Sequence, residues 1–208
     1  MNEEQILPEE PVEKSNPYGV SNMFFDVVEM FAWALFVAFL VFTFAVRLCR
    51  VDGSSMENTL YENENLLIYS LNYTPQQDDM IVFHLTDKRM EKTLVKRVIA
   101  TGGQTVSINF TTAEIYVDGV KYDDRHAVLK NQLDQDIGIY FLKCDPNSLY
   151  YDEKTDTFTA KVPEGMLFVL GDNRNWSKDS RSAEILFVDE RSVLGKVVVR
   201  LFPFTVFS

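Results

Sequence analysis

The feature that most limits what this chain can fold into is residues 30–46, where no charged side chain occurs. With Phe24, Phe25, Val27 and Val28 ahead of it, the run makes a helix of about 22 residues, roughly 33 Å at ~1.5 Å per residue, which spans the hydrocarbon core of a bilayer. Asp26 and Glu29 stand near one end, Arg47 and Arg50 at the other. A cleaved export signal starts basic and ends in small residues. Here the leading flank is acidic and Val46-Arg47-Leu48 follows, so a retained transmembrane anchor is expected over residues 23–49. Residues 1–22, with Glu3, Glu4, Glu9, Glu10 and Glu13 beside Pro8, Pro11 and Pro17, cannot bury enough apolar area to order themselves and read as a disordered tail. Only Lys14 is basic ahead of the helix, so the positive-inside rule taken alone puts that tail outside the cell.

About 150 residues follow Arg50, enough for one domain with a real core. Their periodicity is that of strands, with short apolar runs at 66–69, 80–83, 93–99, 105–110, 114–117, 166–170 and 193–202. The expected fold is mostly β, an antiparallel sheet domain over 50–208 preceded by one transmembrane helix. Asp118-Gly119, between Ile115-Tyr116-Val117 and Val120-Lys121-Tyr122, marks a two-residue hairpin turn. Residues 121–160 are polar and irregular apart from 137–142, and they read as an inserted cap elaborating the core. The aromatic end of the chain, Phe202-Pro203-Phe204 and Val206-Phe207, fits a core edge and a membrane interface equally well.

The formal net charge of -11 excludes a nucleic-acid partner, which would call for clustered Lys and Arg. Cys49 and Cys144 match no C-x-x-C spacing, and His84 and His126 have no ligand-spaced companion, so neither a metal site nor a cofactor is expected.

Just past the anchor lies Gly53-Ser54-Ser55-Met56-Glu57-Asn58-Thr59-Leu60, which places a serine close to the bilayer surface. A serine hydroxyl attacks poorly until a base removes its proton, and neither histidine sits in a motif that brings it to Ser55. Lysine is the alternative, provided its ammonium is desolvated enough to fall from a pKa of ~10.4 toward neutrality. In Thr93-Leu94-Val95-Lys96-Arg97-Val98-Ile99 the period of two sets Lys96 on one face with Leu94 and Val98, and Arg97 on the other, so one charge has to sit among apolar neighbours. A lysine that snorkels out at a strand edge is the plainer alternative. The third stretch, Gly171-Asp172-Asn173-Arg174-Asn175-Trp176-Ser177-Lys178-Asp179-Ser180-Arg181, has the donors and acceptors of a rigid hydrogen-bonded loop.

In the order anchor, S-M-x-x-T-L, K-R-V-I, G-D-N-R-x-x-S-x-D-S-R, these stretches resemble bacterial type I signal peptidases of the short gram-positive form, membrane-anchored Ser-Lys proteases that remove signal peptides from exported proteins. The resemblance covers about residues 27–110 and 162–203. It implies Ser55 as nucleophile, Lys96 as general base, Ser177 hydrogen-bonded to the lysine amine, an Asp179–Arg181 ion pair beneath the site and Arg97 in support. It also implies an oxyanion hole from the Ser55 backbone N–H and the Gly53 region, substrate contact at Met56, and preproteins cleaved after small residues of the Ala-x-Ala type by a monomer. The tail would lie in the cytoplasm and the β domain outside. The chain departs from the family in three places. Asn58 stands where the family has proline, which removes a fixed φ from the turn after the nucleophile. Ala100-Thr101-Gly102-Gly103-Gln104 replaces a G-x-P-G-D run, and Asn175 and Trp176 replace the usual aspartate and asparagine. The competing reading is a membrane-tethered binding or regulatory module of the same fold that does not cleave.

Overall fold

The computed structural model describes residues 20–87, 90–127, 150–174 and 176–207. Two compact units divide at residue 41. The first holds most of helix α1 (Val20–Phe44). Within it Met23–Phe44, 22 residues with a mean hydropathy of 2.3, is long and apolar enough to cross a membrane. Its large side chains, Phe25, Phe31, Leu35 and Phe39 among them, are exposed on every side of the helix. Such all-round apolarity suits lipid and has no use in water. The helix stops earlier than expected: residues 46–50 form a strand, β1 (Val46–Arg50), paired antiparallel with β2 (Asn65–Tyr69). A ladder of backbone hydrogen bonds to β2 wins over continued helix there.

The second unit is mostly antiparallel β, as the alternation indicated. After β2 come β3 (Met80–Asp87), β4 (Met90–Thr101), β5 (Thr105–Asn109), β6 (Glu114–Val117), β7 (Val120–Lys121), β8 (Tyr151–Asp152), β9 (Thr157–Lys161), β10 (Met166–Leu170), β11 (Val188–Asp189), β12 (Val193–Arg200) and β13 (Thr205–Val206). One sheet runs β1-β2-β12-β3-β4-β10-β11, with β13 on β12; the other runs β7-β6-β5-β9-β8. The hairpin between β6 and β7 turns at Asp118 and Gly119 with φ of 51° and 79°, the left-handed pair that a two-residue turn needs.

The expected cap divides. Residues 128–149, with the apolar run 137–142 and Cys144, lie outside the described residues. Residues 157–161 are no elaboration: β9 is paired on both sides, by β5 and β8, and its Phe158 is fully buried against Val106, Ile108 and Phe168. The polar residues alternating with Phe158 and Ala160 masked a half-buried strand.

The long strand β4 carries the residues that matter. It pairs with β3 over residues 90–97, Ile81 opposite Lys96 and Met80 opposite Arg97. Leu94 and Val98 pack with Ile81, Phe83 and Val169, while Val95 packs with Met56, Val82 and Val197. Successive side chains therefore enter different parts of the core, and adjacent cations must be accommodated on opposite faces.

Candidate active site

The turn holding Ser55 is anchored by what flanks it. Met56 and Leu60 are buried with Val51, Leu66 and Ile68, and the Thr59 and Leu60 N–H groups both donate to the Met56 carbonyl, at 3.0 and 2.8 Å. Met56 is 1 % exposed. The side chain at which a substrate contact was expected is instead packed into the core. Gly53, at φ +87°, makes the bend before the serine.

Lys96 comes to Ser55 from β4. Its Nζ lies 2.6 Å from Ser55 Oγ and 2.9 Å from the Val95 carbonyl oxygen, in a side chain whose residue is 1 % exposed. Burial pushes its pKa down to about 8 from 10.5; the Asp179 and Asp172 carboxylates pull it back up, and Arg181 opposes them. Lys96 Nζ thus donates to both Ser55 Oγ and the Val95 carbonyl, and once it loses a proton its lone pair is free to turn to the serine hydroxyl.

Its neighbour Arg97 is held differently. Nε and Nη2 fork onto Asp172 at 2.9 and 2.7 Å, and Nη1 donates to the Asp78 carbonyl at 2.8 Å. Asp172 in turn accepts the Thr59 hydroxyl at 2.6 Å. One buried carboxylate thus ties the base strand to the turn after the nucleophile.

The loop from Gly171 to Arg181 closes over this arrangement. The Asn173 N–H donates to the Ser55 carbonyl at 3.1 Å and its Nδ2 to the Ser54 carbonyl at 3.0 Å. Gly171 N–H donates to Asp179 Oδ2 at 3.0 Å, and Asp179 pairs with Arg181 at 2.9 Å. Burial would raise the Asp179 carboxyl, but the charge and hydrogen bonds of Arg181 and the Gly171 N–H hold it below the usual carboxylate range; Ser177 adds a weaker pull. Ser177 is buried, and among the described residues no group meets its Oγ in hydrogen-bond geometry, so the bond expected from Ser177 to the lysine amine is not made. Ser177 lies instead against Gly171, where a Cβ would collide with Ser177 Oγ and come within 2.5 Å of the Ser55 carbonyl oxygen. Only glycine lets the loop approach the nucleophile this closely.

Among the described residues no acceptor takes the Ser55 N–H, and a Cβ on Gly53 would meet nothing within 4 Å. No group of His, Cys, Asp or Glu among the described residues could hold a metal ion. Two surface cavities, of about 800 and 410 Å³, share Thr59, His126 and Phe207 and include neither Ser55 nor Lys96.

Sequence reasoning missed Asp172, Thr59 and Asn173 as partners. All three stand in the motifs already quoted, and the demand of Arg97 for a buried counter-charge was the signal that could have found Asp172.

Comparison with known proteins points the same way as this geometry. A family model described as signal peptidase, peptidase S26, matches residues 24–202. A signal peptidase IB from Staphylococcus aureus is 32 % identical over 183 residues, covering 85 % of this chain and 88 % of that protein. A signal peptidase I from Bacillus licheniformis is 28 % identical over 186 residues, covering 88 % and 91 %. The crystal structure of a signal peptidase I from Enterococcus faecalis is 31 % identical and covers 60 % of this chain and 97 % of its own, with a TM-score of 0.36, too low to bear on the fold.

Asn58 has φ +76°. The turn has not merely lost a proline; it has a shape that proline, fixed near −65°, cannot take. Asn58→Pro should therefore destabilise the protein by about 1–3 kcal/mol, and Asn58→Gly should be close to neutral. Urea unfolding in detergent checks this; a proline variant as stable as the parent would show that the turn is not left-handed.

Proposed function

This chain belongs to the signal peptidase family, peptidase S26, and we propose that it is a membrane-anchored serine endopeptidase that removes N-terminal signal peptides from exported preproteins. Ser55 is the nucleophile and Lys96 the general base. The observation that carries this reading is the 2.6 Å approach of a buried amine to a serine hydroxyl, an arrangement that costs stability and serves no packing purpose.

In the proposed reaction an extended segment with small side chains lies along a sheet edge with its scissile carbonyl over Ser55. Neutral Lys96 takes the hydroxyl proton as Oγ bonds to the carbonyl carbon. The oxyanion forms beside the Ser55 N–H, a donor with no competing described acceptor. Collapse breaks the C–N bond, and the Lys96 ammonium returns its proton to the departing amine. Neutral again, Lys96 deprotonates a water that hydrolyses the acyl ester and frees Ser55. Asp172–Arg97 ties β4 to the loop and Asp179–Arg181 braces the loop itself; each carboxylate is committed to a guanidinium, which weakens its pull on the amine. We place the tail in the cytoplasm and the β domain outside, where preproteins emerge, although the scarcity of basic residues ahead of α1 opposes this.

The full chain in lipid vesicles, given a preprotein, should cleave it once, after a small residue. Ser55→Ala and Lys96→Ala should each lower turnover by at least about 1,000-fold; retained cleavage by either would overturn the assignment. The base acts only when neutral, and its pKa is about 8. Hence kcat/KM should rise with pH through about 8 to a plateau, with roughly a tenth of the amine neutral at pH 7. A rise centred near 10 would mean that the amine is solvated.

A further inference from the structure

Outside the Ser55 turn, β4 and the loop just described, one short segment touches both sides of the site. Residues 122–124 leave β7. Tyr122 is buried, and its hydroxyl donates to Asp78 Oδ1, on the residue whose carbonyl holds Arg97. Two positions on, Asp124 meets Arg174 in a two-point fork, Nη1 to Oδ2 at 2.5 Å and Nη2 to Oδ1 at 2.6 Å. The Arg174 side chain is 6 % exposed. Its Nε donates to the Gly171 carbonyl at 2.9 Å, and its own carbonyl accepts Arg181 Nη2 at 2.8 Å.

We propose that Asp124 is a positioning residue for the proteolytic site: by fixing Arg174 it fixes the Gly171 carbonyl and the Arg181 guanidinium, so that residues 122–124 act as a strap setting the loop against Ser55 and Lys96. A buried guanidinium stripped of its carboxylate must find water, and in swinging out it releases whatever it holds. Gly171 is where the loop has least tolerance, packed as it is against Ser177 and the Ser55 carbonyl. A small displacement there moves the nucleophile relative to the amine, and misplacements of this kind cost turnover more than binding. The charged groups acting on Lys96 are Asp179, Asp172 and Arg181, with the Ser55 hydroxyl at its tip. Loosening Arg181 admits water to the amine and raises its pKa toward 10.5. The limb on which activity rises then moves to higher pH.

A plain structural tie between the two sheets would lower stability and leave that limb in place. The proposal rests on Lys96 being the base, and the experiment separates the two ideas. The full chain in detergent micelles is assayed on a signal-peptide-bearing preprotein across pH, as wild type, Ser55→Ala, Asp124→Asn, Asp124→Glu and Glu114→Gln; Glu114 forms an exposed pair with Lys121 on the second sheet. Asp124→Asn should lower kcat about tenfold with KM within about twofold and shift the limb upward. Asp124→Glu, which keeps the carboxylate, should restore at least half of the loss, and Glu114→Gln should match wild type. Ser55-dependent cleavage with a wild-type kcat and limb in Asp124→Asn overturns the strap alone, as does a loss that tracks a lowered Tm with the limb unmoved. Cleavage indifferent to Ser55 overturns the peptidase reading and the strap with it.

Discussion

Everything in the β unit is arranged around a lysine amine kept out of water. Lowering the Lys96 pKa from 10.5 to about 8 costs the fold about 3 kcal/mol at neutral pH. The sign follows from proton counting. Between pH 8 and 10.5 the unfolded chain binds the proton that the folded chain has released, so the penalty lessens as pH rises through that window. A cost of this size is a large share of an ordinary domain's stability. It has to be offset by the apolar packing of β3, β4 and β10 around the amine.

The companion charges explain how the amine stays desolvated without being re-protonated by a neighbour. Asp172 and Asp179 both act on it, but each is already committed to a guanidinium, Arg97 or Arg181, through forked hydrogen bonds. A buried pair of this kind contributes little net stability. Its value here is geometric: Asp172 joins β4 to Thr59, Asn173 latches onto the Ser54 and Ser55 carbonyls, and the nucleophile is thereby held from two directions. Ser177 makes no hydrogen bond to the amine; the carbonyl of Val95 occupies that orienting role.

Much of this was legible in the residues. Apolar runs of strand length gave β2, β3, β5, β6 and β10; in β2, β5 and β6 one face is buried, whereas β10 and the start of β3 are buried on both. Alternation along β4 put Lys96 among Leu94 and Val98. Strand β1 was hidden by its position at the end of an apolar run, where helix and strand are equally hydrophobic, and β9 by polar residues between Phe158 and Ala160. The resemblance implied a substrate contact at Met56, whereas its large apolar side chain packs in the core beside Leu60. Contacts such as Asp124 with Arg174, fifty positions apart, leave no local pattern and emerge only when the two sheets are placed. The shape of the turn at Asn58 was likewise beyond reach, since asparagine tolerates both signs of φ.

The most direct test of the account is a titration of the Lys96 amine itself, followed by NMR on full-length protein carrying labelled lysine in detergent, with Lys96→Ala used to assign the signal. A midpoint near 8, distinct from the other lysines, is the predicted result. A midpoint near 10.5, in company with the surface lysines, would mean that the amine is hydrated and cannot serve as the base, and the account of this site would fail.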